Sequence, residues 1–511
     1  MKVFSAKNWG TGAFVLIISG FVCKVLGALF RLPLTNLLGI DGIGVFQMIM
    51  SLYAFALVVT CGGVSVSLSK LISSARARGE TEKIRVFLNR AIFVTLIIAF
   101  SLGIVFVALT KVICRAQGIS VNFSYMLFVL LLPFGGLLAV FRGYFQGYEN
   151  MTPTAVSQIF EQVFKFAFGL FFAWILSKKS VALGVFGAFL GITLSEFVSL
   201  LYLLILLAFR HEKKQNLDVA LVRSSQKDFD RANFALTLSA SVLPLVNAFD
   251  AMIVVPNLAK AGFSNGFATT LFGLQSGVVG AILNFPLIIS MSVATAFLPN
   301  ISYLASKGAN CKFVVAKGLK VLLYLVLPTT FGCVAISKPL LSLLYKGMND
   351  QLLDISFNLM LFGGFSIVFT AIMQYLLMLL QSRGEYKFVF FSTLIGGAIK
   401  AILTFSLSYV PQINIFSIVL GNIFLSSIVC LSALLRLKKV VQFRLELKDL
   451  SILVFGTALM FLAVYTFLNC NYFSSLTNLI LAVLLGIVVY GVTTFVVIYK
   501  LIKNQKIKAS V

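Results

Sequence analysis

The sequence predicts an all-α polytopic membrane protein with about 14 transmembrane helices, because long apolar stretches recur along a chain that contains few charges. Of its 511 residues, 60% are hydrophobic and 11% are charged, and the mean hydropathy is +1.03. A soluble domain cannot bury this much apolar surface, whereas stretches of about twenty apolar residues match the thickness of a bilayer. The composition therefore excludes an ordinary soluble domain.

The apolar stretches fall into two sets of seven predicted spans. The first stretch is longer than a signal peptide and has no small-residue cleavage site, so we expect it to be retained. The first set covers residues 13–30, 44–68, 91–109, 123–141, 155–176, 181–209 and 235–255. The second set covers residues 271–298, 313–336, 355–380, 388–408, 413–435, 450–468 and 476–501.

Two local patterns occur once in each half of the chain and predict an internal repeat. Lys165 follows Gln146 by 19 residues, and Lys400 follows Gln381 by 19 residues. In the same way, Gly39 lies six residues after Pro33, and Gly262 lies six residues after Pro256. Equivalent spans are six apart and run in the same direction across the membrane, as in transporters with parallel repeats.

The repeat predicts two pseudo-symmetric six-helix lobes and a two-helix extension. The lobes cover residues 1–209 and 233–437, and the cytoplasmic basic linker between them covers residues 210–232. Residues 438–511 form two additional spans and a basic cytoplasmic tail. Most of the 41 lysines and arginines lie in the two termini and in the loops on the same side of the membrane. This bias predicts a cell-membrane protein with both termini in the cytoplasm.

The formal net charge of +25 is interpreted as a topology signal and a source of contacts to anionic lipids. We therefore expect membrane lipids, and no nucleic acid, among the partners. An ionisable side chain at the bilayer centre costs at least ~2.5–3.5 kcal/mol unless it faces water or a partner. Charges inside the apolar stretches therefore indicate a polar cavity, which is typical of a transporter. These charged residues are Lys24, Glu161, Lys165, Glu196, Asp250 and Lys400.

Several motifs resemble those of the Gram-positive polysaccharide flippase family, which includes the stage V sporulation protein B group and the MurJ-type lipid II flippases. In the first half the motifs run from Lys24 to Leu34 and on through Gly39, Gly42 and Gly44. They continue at residues 62–73, 143–147, 151–155 and 158–162. In the second half they cover Asp250, residues 255–258, Gly262, residues 285–286 and residues 299–302. The family lies within the multidrug, oligosaccharidyl-lipid and polysaccharide exporter superfamily.

This resemblance implies a flippase that moves an undecaprenyl-pyrophosphate-linked glycan across the cytoplasmic membrane by alternating access. The glycan precursor expected is lipid II, for peptidoglycan or spore cortex. A cation-coupled multidrug exporter of the same superfamily is the alternative. Fourteen spans and basic cavity residues favour the flippase, since those exporters usually have twelve spans and acidic cavities. We expect a monomer, with cell-wall synthesis proteins as candidate partners.

Two departures from the family pattern reduce the positive charge available to a phosphate. Asn257 stands where a basic residue commonly follows the Val-Pro pair, and the stretch 277–284 contains no basic residue. The first half must therefore supply more of the cationic surface.

Four basic residues are the predicted substrate-binding residues: Lys24, Arg31, Lys165 and Lys400. Lys24 and Arg31 are seven residues apart, which is two helical turns, so both project from nearly the same helix face. Cationic side chains in a cavity can bind the phosphates of a polyprenyl pyrophosphate. Interfacial snorkelling is an alternative role for Arg31.

Three acidic residues are the predicted counter-charges or ion-coupling residues: Asp250, Glu161 and Glu196. Glu161 and Lys165 have the i, i+4 spacing of an intrahelical ion pair. Lys400 has Gly396 at the corresponding position, so its partner must come from another span. Asp250 and Glu196 are the candidates, and Asp250 could instead bind a coupling cation or a proton.

The sequence contains no motif of an enzyme or of a resident cofactor. It lacks the glycine-rich phosphate-binding loop of ATPases. The single histidine, His211, lies in a basic loop, and the seven cysteines have no ligand spacing. A membrane-embedded glycan polymerase would need catalytic acids in a large external loop, and the predicted external loops are short. We therefore expect no cofactor, no metal and no catalytic residue.

Overall fold

A computed structural model confirms the all-helical fold class. It describes residues 8–120, 122–208, 219–306, 312–345, 348–441, 447–470 and 475–506, and no strand occurs in these ranges. The predicted linker at 210–232 is described only from residue 219 onward. The start of that linker, His211, Cys311 and the two chain ends lie outside the described residues.

Nine α-helices lie within the described residues before residue 274. They are α1 (Asn8–Cys61), α2 (Val64–Ala77), α3 (Glu82–Ala108), α4 (Thr110–Ala116), α5 (Phe128–Gly147), α6 (Thr152–Ser177), α7 (Val181–Ala208), α8 (Val219–Lys260) and α9 (Asn265–Gly273). A short 3-10 helix, Phe123–Leu127, leads into α5, and the Asn122 side chain caps its start by accepting a hydrogen bond from Ser124 N.

In the part of the chain that the structure describes, eight further α-helices follow a π-helical turn at Leu274–Val279. They are α10 (Gly280–Ser306), α11 (Lys312–Ala335), α12 (Ser337–Leu344), α13 (Asp350–Ser382), α14 (Tyr386–Leu407), α15 (Phe416–Val441), α16 (Leu447–Asn469) and α17 (Ser475–Lys506).

Thirteen helical segments within the described residues are long and apolar enough to cross a membrane. The first of them, Ile18–Ala77, has 60 residues, and a straight helix of that length would measure about 90 Å, three times the hydrocarbon thickness. It contains two of the predicted spans, and the backbone leaves helical geometry at Gly39 (φ 75°, ψ 172°) between them. One of the thirteen segments thus passes through two predicted spans, and the total of fourteen spans stays a prediction.

The same backbone conformation occurs in both halves of the chain, at the positions where the sequence patterns predict a repeat. Gly39 and Gly262, each six residues after a proline, both have positive φ, at 75° and 101°. Glu149 and Gly384, each three residues after the paired glutamines, also have positive φ, at 62° and 80°. Because L residues rarely adopt this conformation, its recurrence at both pairs of positions supports the internal repeat.

Several prolines that interrupt apolar stretches lie inside continuous helices. Pro133 lies within α5, Pro244 and Pro256 within α8, and Pro328 within α11. Inside α1, the backbone instead departs from helical geometry at Gly39. Proline is tolerated within a membrane helix where neighbouring groups satisfy the freed carbonyl.

The described chain forms two compact units. The first unit contains residues 1–273 and 409–411, and the second contains residues 274–408 and 412–511. Helices α8 and α9 belong to the first unit because α8 packs against α1, α2 and α3, and α9 packs against α1. The division by packing thus differs from the lobes at 1–209 and 233–437, whose boundaries stay a prediction.

Small residues bring α6 and α7 into close contact in the first unit. A Cβ atom on Gly191 would lie 2.3 Å from the Gly169 backbone nitrogen, and one on Gly187 would lie 2.5 Å from the Phe172 carbonyl oxygen. Such glycines let membrane helices approach at backbone distance. This contact holds the charged residues of α6 close to Glu196 on α7.

Candidate functional site

Four of the predicted charged residues lie on three neighbouring helices of the first unit. Arg31 lies on α1, Glu161 and Lys165 on α6, and Glu196 on α7. Glu161, Arg31 and Glu196 lie close enough to Lys165 for electrostatic interaction. The structure therefore brings these predicted site residues together.

The helix α1 packs on α6 beside the positions of Lys24 and Arg31. Ser19 Oγ lies 3.5 Å from Gln158 Oε1, and a Cβ atom on Gly27 would lie 3.5 Å from Gln162 Oε1. Gly27 lies between Lys24 and Arg31 on the predicted shared face. Lys24 is exposed and Arg31 is half-buried, so both remain accessible on this side of α1.

Lys165 rests on an aromatic ring of α1. Its Nζ lies 5.4 Å from the centre of the Phe30 ring, and the same ring packs against Gly169 one turn further along α6. A cation over an aromatic face is stabilised by the ring quadrupole. The ammonium is thus held at the α1–α6 contact, and its side chain stays half-buried.

Glu161 forms its ion pair with a residue that the sequence analysis did not select. Arg142 Nη2 donates to Glu161 Oε2 at 2.8 Å, and Arg142 Nε donates to Ser157 Oγ at 2.9 Å. The i, i+4 spacing predicted Lys165 as the ion-pair partner of Glu161, but the partner is Arg142. An arginine from the preceding helix offers two donors in a fixed fork, which suits this geometry better than a lysine on the same helix.

Arg142 was missed because the predicted fourth span ends at residue 141, whereas α5 continues to Gly147. A charged residue predicted to lie in a loop does not by itself indicate a functional site, whereas a charged residue within a membrane helix does. The available signal was the position of Arg142 just beyond an apolar stretch that carried no other charge.

Glu196 is buried, with 5% of its surface exposed, and one of its oxygens is held by a tyrosine. Tyr53 Oη on α1 donates to Glu196 Oε1 at 2.6 Å. The other oxygen, Oε2, has no hydrogen-bond partner within the described residues. It lies beside Gly135 on α5, where a Cβ atom would come within 3.1 Å. Tyr53 was not predicted as a site residue because an isolated tyrosine in an apolar stretch is typical of a packing residue.

Asp250 and Lys400 lie apart from this cluster in the chain. Asp250 is buried on α8 of the first unit. Lys400 is buried on α14 of the second unit, with 2% of its surface exposed, and its side chain packs where a Cβ atom on Gly421 of α15 would come within 3.0 Å of its Cγ. The substrate-binding role of Lys400, and the pairing of Asp250 with it, stay predictions.

The second unit contains an apolar cavity of about 430 Å³ between α10, α11, α16 and α17. Tyr490 Oη donates to the Tyr324 carbonyl at 3.0 Å at its wall. Lys320 Nζ on α11 and Asp449 Oδ2 on α16, 2.7 Å apart, join the helices on either side. The two additional spans thus complete this cavity. Its apolar lining includes Phe285, Pro328, Met460, Val464 and Ile487.

A comparison with curated proteins finds relatives in Bacillus subtilis (strain 168). The chain is 28% identical to stage V sporulation protein B over 302 residues, which is 57% of each protein. It is 22% identical to the lipid II flippase MurJ over 432 residues, which is 78% of this chain and 77% of MurJ. The alignment therefore spans little more than half of the sporulation protein.

A comparison with solved structures finds the same fold in proteins of low sequence identity. The lipid II flippase MurJ in an inward closed conformation matches with a TM-score of 0.70 and 16% identity, covering 96% of this chain and all (100%) of that one. An inward-facing multidrug resistance transporter of the MATE family matches with a TM-score of 0.61 and 15% identity, covering 81% of this chain and 95% of that one.

The family that matches the sequence is described as polysaccharide biosynthesis protein, and the match covers residues 9–305. The matched region includes Lys24, Arg31, Glu161, Lys165 and Glu196. The predicted family resemblance is confirmed. Because the match covers more than half of the 511 residues, this multi-pass membrane protein belongs to the polysaccharide biosynthesis protein family.

Proposed function

We propose that this protein is a flippase that translocates an undecaprenyl-pyrophosphate-linked glycan precursor across the cell membrane by alternating access. The precursor is lipid II, for peptidoglycan or spore cortex. The observation that carries the proposal is the group of basic residues on the α1 and α6 helices of the first unit, within apolar helices that would otherwise exclude charge. We call Lys24, Arg31 and Lys165 the cationic group.

The two acids around Lys165 are engaged by other residues of the first unit. Arg142 neutralises Glu161 through a salt bridge of 2.8 Å. Of the acids around Lys165, this leaves Glu196, which is buried and bonded to Tyr53. Lys24 and Arg31 add two positive charges on the accessible side of α1. Charge-assisted hydrogen bonds from such groups suit the two phosphates of a polyprenyl pyrophosphate.

The second unit has an apolar cavity of its own that bears on the class of substrate. A cavity of about 430 Å³ lined by Phe, Met, Val and Ile side chains has the chemistry to hold part of a prenyl chain. The two additional spans that border this cavity are therefore consistent with a substrate that carries a lipid chain.

The alternative is a cation-coupled multidrug exporter, and the shared fold with a MATE transporter favours it to a limited extent. An exporter of cationic drugs needs accessible carboxylates in its cavity. Around Lys165, Glu161 is engaged by Arg142 and Glu196 is buried, whereas the nearby Lys24 on α1 is exposed. The charge balance favours an anionic substrate.

The proposed cycle needs no catalytic residue and no resident cofactor. The two lobes rock around the bound headgroup while the prenyl chain stays in the bilayer. The protein acts in the cell membrane, with both termini in the cytoplasm, as a monomer surrounded by lipid. Its expected partners are the lipid-linked substrate, membrane lipids and cell-wall synthesis proteins.

Complementation of a bacterial strain depleted of its lipid II flippase tests the proposal. The wild-type chain restores growth, and Arg31→Ala does not, although it reaches the membrane in equal amounts. The matched control is Lys178→Ala, which removes an exposed cation near the end of α6 that lies over the Trp174 ring. Failure of the well-expressed wild-type chain would contradict lipid II as the substrate.

A further inference from the structure

The helix α6 carries a stripe of polar side chains that the cationic group does not explain. Gln158, Glu161, Gln162 and Lys165 are spaced i, i+3, i+4 and i+7, so they share one face of the helix. All four are half-buried and so keep an accessible edge. We call these four residues the α6 polar stripe.

The opposite face of α6 is apolar and exposed. Phe160, Val163, Phe171 and Trp174 are 36–52% exposed. In a membrane such a face meets lipid chains, so the polar stripe points away from lipid. The stripe contacts α1 through Ser19 and Phe30 and contacts α5 through Arg142.

The two glutamines retain hydrogen-bonding capacity. Gln162 Nε2 donates to Glu161 Oε1 at 3.3 Å, which leaves its carbonyl oxygen as an acceptor. The Gln158 oxygen lies 3.5 Å from Ser19 Oγ, which leaves the amide nitrogen with its two donors. Amide groups in this state are costly in hydrocarbon and are retained in membrane helices where they meet water or a polar ligand.

We propose that Gln158 and Gln162 form hydrogen bonds to the first sugar attached to the pyrophosphate. Lys165, which follows Gln162 by about one turn on the α6 polar stripe, contacts the phosphate. This inference rests on the proposed function. A sugar offers hydroxyl and acetamido groups that both donate and accept, and side-chain amides match them. One amide stripe beside a cation is thus suited to a ligand in which a sugar adjoins a phosphate.

The contrast with the second repeat supports a special role for the stripe. At the offset of 235 residues that relates Lys165 to Lys400, the counterparts of Gln158, Glu161 and Gln162 are Thr393, Gly396 and Gly397. A Cβ atom on Gly396 would lie 2.7 Å from Val429 Cγ2, so that face of α14 is used for packing against α15. A polar face is therefore not required by the fold of the repeat.

The test compares two lipids in proteoliposomes that contain the full chain: undecaprenyl pyrophosphate, and undecaprenyl pyrophosphate bearing one N-acetylated amino sugar. For Gln162→Leu and Gln158→Leu, we expect translocation of the sugar-bearing lipid to fall about three- to tenfold, the effect of losing one hydrogen bond. Translocation of the bare lipid stays at the wild-type rate. The matched control, Gln381→Leu, makes the same chemical change at an exposed residue of α13 and alters neither rate.

Equal slowing of both lipids by the glutamine variants would overturn the inference, and so would unchanged rates for both. Gln162→Asn, which keeps the amide but shortens it, serves as a second variant if the leucine substitution reduces thermal stability. If the wild-type chain translocates neither lipid, the proposed function itself fails. A failure of the inference is thereby distinguished from a failure of the function.

Discussion

The helices α6 and α14 are counterparts in the internal repeat, yet they place the same residue in opposite surroundings. Lys165 on α6 is half-buried above the Phe30 ring, among Glu161, Arg31 and Glu196. Lys400 on α14 is buried at 2% exposure against α15. The turn before each helix has a positive-φ residue at the equivalent position, Glu149 or Gly384, so the backbone repeat is retained where the side-chain environment is not.

The residues around each lysine account for the difference. On α6 the neighbouring positions carry amide and carboxylate side chains, which keep the face polar. On α14 they are glycines, and the approach of α15 covers the lysine. The two repeats thus keep a lysine at the equivalent position but place it in different surroundings. Two residues at equivalent positions of a repeat therefore need not have the same function.

The largest effect is expected for the ion pair that distinguishes the first repeat. Arg142→Ala leaves Glu161 without its partner inside a membrane helix, and we expect a loss of about 3 kcal/mol in stability. The measurement is thermal unfolding of the purified protein in detergent. In the double variant with Glu161→Gln, most of that loss should be recovered. An additive loss would show that the salt bridge contributes nothing.

The next effect separates the two lysines directly. Lys400→Ala removes a buried side chain that packs between α14 and α15, and it should lower stability by about 2.5 kcal/mol. Lys165→Ala, at the half-buried counterpart, should lower it by less than half as much. Unfolding temperatures of the two variants check the ranking. Equal losses would mean that exposure does not distinguish the repeats.

The carboxyl group on α7 should tolerate loss of its charge better than loss of its hydrogen bond. Glu196→Ala leaves the Tyr53 hydroxyl without its acceptor in a buried site, at a cost of about 2 kcal/mol. Glu196→Gln retains an oxygen for Tyr53 and should cost much less. Thermal unfolding of both variants, with Tyr53→Phe as the partner control, decides this. A larger loss for glutamine than for alanine would contradict the hydrogen-bond account.

The smallest effect concerns the turns that begin the two helices. Gly384 has φ of 80°, where a Cβ atom is unfavourable, so Gly384→Ala should destabilise by about 1 kcal/mol. Glu149 is not a glycine, yet its φ is 62°. Glu149→Gly should therefore stabilise the protein, by roughly a few tenths of a kcal/mol. Unfolding temperatures that shift in the same direction for both variants would contradict the equivalence of these turns.

Long apolar stretches made most helices predictable from the sequence. The sixth predicted span, 181–209, corresponds to α7 (Val181–Ala208), and the eleventh, 388–408, corresponds to α14 (Tyr386–Leu407). Helices that continue beyond their apolar stretch were not predicted to full length. The helix α5 extends six residues past the predicted end at 141, because helical hydrogen bonding continues into the interfacial region.

The candidate site was predictable in its residue types and less so in its partners. Charges inside apolar stretches selected Lys165, Glu161 and Glu196, since few reasons other than function or pairing place charges there. The partners Arg142 and Tyr53 depend on which helices pack together, and no spacing in one sequence reports that. The burial of Lys400 likewise follows from the approach of α15, for which Gly396 and Gly421 were the only local signal.

Translocation of an undecaprenyl-pyrophosphate-linked sugar in proteoliposomes tests the central claim most directly. The wild-type chain and Lys178→Ala should move the lipid at equal rates, whereas Arg31→Ala and Lys165→Ala should reduce movement to the rate of protein-free vesicles. These variants should unfold at temperatures close to that of the wild-type chain. Wild-type rates for both Arg31→Ala and Lys165→Ala would contradict the proposal that the cationic group of the first unit binds the substrate phosphates.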